Sequence, residues 1–148
     1  MEASIEKRQA SRGRPAAMLH SGVSLSKKQS FLLENLPEEG CQVVLPRKKV
    51  SLRDLAALTL ATDVEYTMFT KGNQRKVVRG NHGAVSFTEA EIRTLVSGGW
   101  RWSGHTHPGV DFRVLLPSKA DKDFLRAFPQ AQSAIINSSG RYYIFGKE

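Results

Sequence analysis

Helix-opening signals alternate with β-rich runs along this chain, and that alternation confines it to an α/β or α+β fold. Ser51 stands three residues before Asp54 and ahead of Leu52, Leu55, Ala56, Leu58 and Leu60, which predicts an N-capped amphipathic helix to about Ala61. Thr88 and Glu91 form a capping-box pattern for a helix ended by Gly98-Gly99, and Pro117-Ser118 opens another that runs to about Phe128. Ser26 to Leu36 reads as a short helix, with Phe31, Leu32 and Leu36 at helical spacing before a Pro37 to Gly40 turn. The β-rich runs are Gln42 to Leu45, Val64 to Phe69, Arg75 to Arg79, Trp100 to Thr106, Ser133 to Asn137 and Arg141 to Phe145. Lys71-Gly72-Asn73 and Ser138-Ser139-Gly140 close two hairpins among them. Simple alternation in the fourth run sets Trp100 and Trp102 on one face and Arg101, Ser103 and His105 on the other.

Length and charge narrow the organisation. The chain has 148 residues, enough for one domain with a real core, and it is expected over residues 25 to 148. Half of the net charge of +8 falls in residues 1 to 28, where six cations face two carboxylates. The first thirty residues hold no Phe, Trp or Tyr, so residues 1 to 24 read as a disordered basic leader without a base-stacking platform, and specific nucleic-acid binding is not expected. No apolar run reaches the roughly 18 residues of a membrane span. Cys41 is the single cysteine, which excludes a disulfide framework and a Cys-rich zinc finger and leaves it as a small apolar residue. No secretory signal pattern is visible, so the cytoplasm, or export as an effector by a route that reads no such signal, is the expected location. P-loop, GxGxxG and HExxH patterns are absent.

Chemistry concentrates in Gly104-His105-Thr106-His107-Pro108. In a strand, histidines at i and i+2 share one face with Cα atoms roughly 6.5 to 7 Å apart, close enough to bind one ion. Asp121, in the first turn of the helix beginning at Ser118, is the best third ligand. Two imidazoles and one carboxylate suit a single Zn2+ per chain with an open coordination position. Taken separately, the His-Thr-His run also fits two surface or core histidines, and Ser118 to Asp121 also fits an ordinary helix start. A metal-activated water needs a base. The other glutamates fall in the leader, at helix ends or at the terminus, leaving Glu65, which a strand could hold toward the metal or leave solvated at an edge.

Glu65 upstream, then His105-Thr106-His107-Pro108, then Ser118-Lys119-Ala120-Asp121, resembles the motif of the JAMM (MPN+) zinc metalloproteases. The likeness covers about Val64 to Phe145. It implies a curved β-sheet flanked by helices, zinc held by His105, His107 and Asp121, Glu65 as general acid/base, and the Ser118 hydroxyl as an oxyanion donor. Many members of that family cleave peptide or isopeptide bonds, including those of ubiquitin-like proteins, so the implied partner is a protein or peptide substrate. Ser51 to Gly80 and Ser133 to Phe145 are also similar to JAMM-type domains at the ends of bacterial polymorphic toxins, a resemblance that implies a toxin or effector and admits an immunity or regulatory protein as partner. Ten residues separate His107 from Ser118, three more than the usual family spacing, which bears on the groove near Val110, Asp111, Phe112 and Arg113.

Two other classes stand beside the hydrolase. A basic chain with a His/Asp metal site could be a nuclease, although phosphodiester chemistry more often recruits magnesium through carboxylates. A non-catalytic MPN-like interaction module is the other, although such modules tend to lack the ligands found here. His82 is a weaker alternative ligand, read as an exposed turn residue. Arg47, Lys48 and Lys49 with Arg75, Lys76 and Arg79 form a candidate basic patch that steers an acidic partner.

Overall fold

A computed structural model describes residues 23–147, so nearly all of the basic leader lies outside the described residues. Four helices and six strands follow in the order α1 (Lys27–Glu34), β1 (Gln42–Pro46), α2 (Leu52–Thr62), β2 (Tyr66–Lys71), β3 (Gln74–Arg79), α3 (Glu89–Ser97), β4 (Arg101–His107), α4 (Lys119–Arg126), β5 (Gln132–Asn137) and β6 (Tyr142–Gly146). Short 3-10 turns at Arg47–Lys49 and Phe112–Leu115 precede α2 and α4. Reciprocal capping boxes open three helices: Ser26 with Gln29, Thr88 with Glu91 and Ser118 with Asp121. At α2 the Asp54 carboxylate accepts from the Ser51 N–H at 2.9 Å. Among the described residues no helix is long and apolar enough to cross a membrane.

The strands form one mixed sheet in the order β1-β3-β2-β4-β5-β6, antiparallel throughout except for the parallel pair β4 and β5. The fold is therefore α+β, a six-stranded sheet flanked by helices. Successive side chains of a strand point to opposite faces, and each face here carries its own apolar cluster. Leu32 and Leu36 of the α1 region and Leu55 and Leu58 of α2 pack with Tyr66, Met68 and Val77 on one face. Leu95 of α3 and Leu125 of α4, with Phe128, pack with Phe69, Trp102, Ile135 and Phe145 on the other. Cys41 packs partly buried at the edge of the first cluster, as a small apolar residue does.

Two expectations are corrected. Strand β2 starts at Tyr66, so Glu65 stands one residue ahead of it, although its N–H still donates to the Asn81 carbonyl and its carbonyl still accepts from the Gly80 N–H. Trp102 and His105 are not on opposite faces: Met68 pairs with Gly104 while Phe69 pairs with Trp102, so β4 carries one extra residue, Ser103. That bulge shifts the alternation by one and brings Trp102 onto the face of His105. Gly104 is required beside it, because a Cβ there would lie 2.8 Å from both the Ala134 carbonyl oxygen and Leu52 Cδ1.

Asp54 ties α1 to α2. Burial works to raise its pKa, but bonds from Gln29, Lys28 and the Ser51 backbone outweigh that and hold it below the ordinary carboxylate range. A carboxylate whose pKa is depressed by folding stabilises the native state above its unfolded pKa and loses that contribution as pH falls through the folded value. Wild type is therefore expected to exceed Asp54→Asn in stability by about 1 kcal/mol at neutral pH, the usual worth of a helix cap. The difference should stay flat above about pH 5 and shrink below about pH 4. Urea denaturation of both proteins across that range checks it.

Candidate metal centre

The residues that carried the motif converge at one place. His105 and His107 come from the C-terminal half of β4 and project from the same face. Thr106 between them projects into the other face, where its hydroxyl accepts from the Tyr66 N–H at 2.9 Å and bonds the Thr59 hydroxyl at 2.5 Å. That contact locks the start of β2 against β4 and so sets Glu65 beside the histidines. Asp121 arrives from the first turn of α4, held by the capping box: its N–H donates to Ser118 Oγ at 3.0 Å and its carboxylate accepts from the Ser118 N–H at 2.9 Å.

His105 Nε2 and His107 Nε2 are 2.9 Å apart. Asp121 Oδ1 lies 3.0 Å from the first and Asp121 Oδ2 lies 3.3 Å from the second. Three potential ligands thus face one point. Glu65, His105 and His107 also form a group that could hold a metal ion, with one ligand atom from each within 4.8 Å of the others. Among the described residues Glu65 makes no hydrogen bond or ion pair with either ring, so its carboxylate stands farther out than that of Asp121.

Each imidazole is oriented through its other side. His107 Nδ1 meets the Val114 carbonyl at 2.5 Å, which keeps the proton on Nδ1 and leaves the Nε2 lone pair free for an ion. The carbonyl belongs to the 3-10 turn Phe112–Leu115, so the longer loop between His107 and Ser118 takes part in aligning a ligand. His105 Nδ1 is buried without a hydrogen bond of normal geometry, although the nearby Ala134 carbonyl favours a proton there. Its ring is instead stacked on Trp102, with centroids 4.9 Å apart and planes 26° from parallel. Trp102 is itself fixed by donating from Nε1 to Thr67 Oγ1 at 2.8 Å.

Burial pushes His105 toward the neutral form. Burial opposes charge on His107 as well, but its bonds to Asp121 and Val114 and the nearby Glu65 carboxylate leave its pKa raised. Asp121 is likewise buried, yet the two imidazoles hold its pKa far below the ordinary carboxylate range. Glu65 differs: burial drives its pKa up to about 7, the His107 ring partly offsets this, and the Asp121 charge adds to it. A carboxylate poised near neutrality can both accept and return a proton.

These groups open on a cleft of about 400 Å³ whose far wall is the extended segment Gly83 to Phe87, with Ser118 and Phe124 from the α4 side. Sequence reasoning named Glu65, His105, His107, Ser118 and Asp121, and all line this cleft. It missed the Val114 carbonyl, since a backbone acceptor leaves no residue-type signal, and the Trp102 stack, for which Gly104 inside a strand was the available sign of a bulge. His82 does not join the group: it is exposed, and its Nδ1 bonds the Asp63 carbonyl at 2.9 Å. No protein-family model, curated protein or solved structure matches the chain.

Proposed function

We propose that the protein is a zinc-dependent hydrolase of peptide or isopeptide bonds of the JAMM type. The observation that carries this reading is the convergence of His105 Nε2, His107 Nε2 and an Asp121 oxygen on one point, at separations of 2.9 to 3.3 Å. A tetrahedral zinc with bonds of about 2.0 to 2.1 Å brings its ligand atoms about 3.3 Å apart, so the set fits the ion.

Bound zinc polarises a substrate carbonyl and acidifies water. The remaining work falls to the chain. Glu65 takes a proton from the attacking water as its oxygen joins the carbonyl carbon, then delivers that proton to the amine nitrogen as the C–N bond breaks. Ser118 Oγ already accepts from the Asp121 N–H, so its own O–H remains to donate to the carbonyl oxygen as negative charge grows there. His107 is kept in register by Val114, and His105 by Trp102.

The test is metal content by mass spectrometry on untagged wild type, followed by peptide and ubiquitin-like isopeptide substrates. About one zinc per chain is expected, with hydrolysis that stops on chelation and returns with added zinc. Protein that contains no zinc and takes up none overturns the hydrolase and leaves an MPN-like binding module as the better account.

A further inference from the structure

A second cleft, of about 530 Å³, lies on the sheet face opposite the histidines and toward the other end of β2. Thr70 is the centre of its floor. The register sets Arg75 of β3 and Arg101 of β4 directly across from Thr70, one on each side, so both guanidinium groups rise from the same face of the sheet. Arg47, from the 3-10 turn before α2, lines the same cleft. Lys71 also touches its rim, but its ammonium lies over the Trp100 ring, 5.8 Å from the centroid, and is not counted among the cations of the floor. Lys76 and Arg79 do not join it. Lys76 lies over the Trp100 ring on the other face, and Arg79 bonds the Leu36 carbonyl.

No carboxylate lines this cleft, and among the described residues none of its three arginines is in an ion pair. Arg75 is fixed: Nε donates to Thr70 Oγ1 at 3.2 Å, and NH1 donates to the Val50 carbonyl at 2.7 Å and to the Arg47 carbonyl at 3.3 Å. Thr70 and Ser103 hydroxyls are bonded to each other at 2.5 Å, and with Arg75 donating into that pair one hydroxyl proton is left over. The floor thus offers a preset donor row. Among the described residues the Arg101 side chain makes no hydrogen bond to protein. Like charges gathered without an acidic partner repel one another, and an anion seated among them relieves that repulsion.

We infer that this cleft binds phosphate groups. Three guanidinium groups within one small cleft call for a ligand that concentrates more than one negative charge and several acceptor oxygens in a small volume. A phosphate does so, whereas a carboxylate brings one charge and two oxygens. Thr70 lies about 16 Å along β2 from Glu65 and the arginines rise from the sheet face opposite the histidines, so the inference does not rest on the hydrolase reading.

The experiment is calorimetric titration of the full chain with inorganic pyrophosphate, and fluorescence anisotropy with a labelled single-stranded oligonucleotide, at two salt concentrations. Arg47→Ala and Arg101→Ala are the test variants, since both side chains are exposed, and Arg93→Ala on α3 is the control. Any chelation of metal by pyrophosphate is common to all of these proteins and cancels. Saturable binding weakened at least tenfold in the Arg47 and Arg101 variants, and unchanged in Arg93→Ala, is expected. If pyrophosphate binds so and the oligonucleotide does not, the source is a free phosphate compound; if both do, it is a phosphodiester backbone. Absence of saturable binding, equal binding in all variants, or tighter arginine-dependent binding of a poly-glutamate peptide overturns the inference, the last in favour of an acidic protein. Matching melting curves of the variants exclude misfolding as the cause of a loss.

Discussion

Replacing His105 and His107 together with alanine is expected to yield a folded protein that binds no zinc at the centre. The two Nε2 atoms supply two of the three contacts that face one point, and the Asp121 carboxylate alone makes no specific site. The readout has a predicted size. At free zinc about 100-fold above its dissociation constant, wild type should gain about 2.7 kcal/mol of stability, and the variant nothing. The fold should survive, because the clusters on both faces of the sheet are built from residues other than these two. Thermal denaturation with and without zinc, paired with metal analysis, makes the comparison. A double variant that kept the wild-type zinc content and the wild-type gain would mean that the ion sits elsewhere.

Glu65→Gln should separate binding from turnover. Glutamine keeps the shape of the side chain, and the three closest ligand atoms are untouched, so zinc content should stay at the wild-type level. Hydrolysis should fall by about 10² to 10⁴, the usual worth of a positioned general base. Loss of stability would not explain such a fall. Burial raises the Glu65 pKa to about 7, so ionising this carboxylate in the folded protein is costly, and the amide removes that cost. The variant is therefore expected to melt no lower than wild type at pH 8. Turnover at the wild-type rate with zinc in place would assign the proton transfer to another group.

The parts of the fold that could be read in advance are those set by local signals. Ser51, Thr88 and Ser118 each stand at the start of the helix they were expected to open, because a cap is decided within one turn of the chain. The six strands follow their β-rich runs to within a residue or two. Their order could not be read, since pairing β4 with a parallel β5 and an antiparallel β2 depends on contacts remote in sequence. The site followed the same division. The spacing of His105 and His107 and the place of Asp121 three residues after its cap are local facts. The proximity of Glu65 rests on a tertiary contact, the hydroxyl of Thr106 on the Tyr66 N–H, that no spacing records. Trp102 was placed on the wrong face because strict alternation ignores an inserted residue, and Ser103 is that insertion. A basic patch read from sequence neighbours includes Lys76 and Arg79, whereas the sheet register turns these away and brings Arg101 across from Thr70 instead.

Because β4 and β5 run parallel, the chain cannot turn straight back between them, and the connection it takes is the one that carries Asp121. The histidines thus belong to a strand and the carboxylate to that strand's own crossover, so the centre is complete only after the crossover has closed. An ion would therefore be expected to bind late in folding, after the slow search for the distant pairing. Unfolding meets it early, since the crossover cannot lift from the sheet while both ends are held. An ion bound here would act as a clasp on the lifetime of the native chain, slowing unfolding while leaving the folding rate almost unchanged.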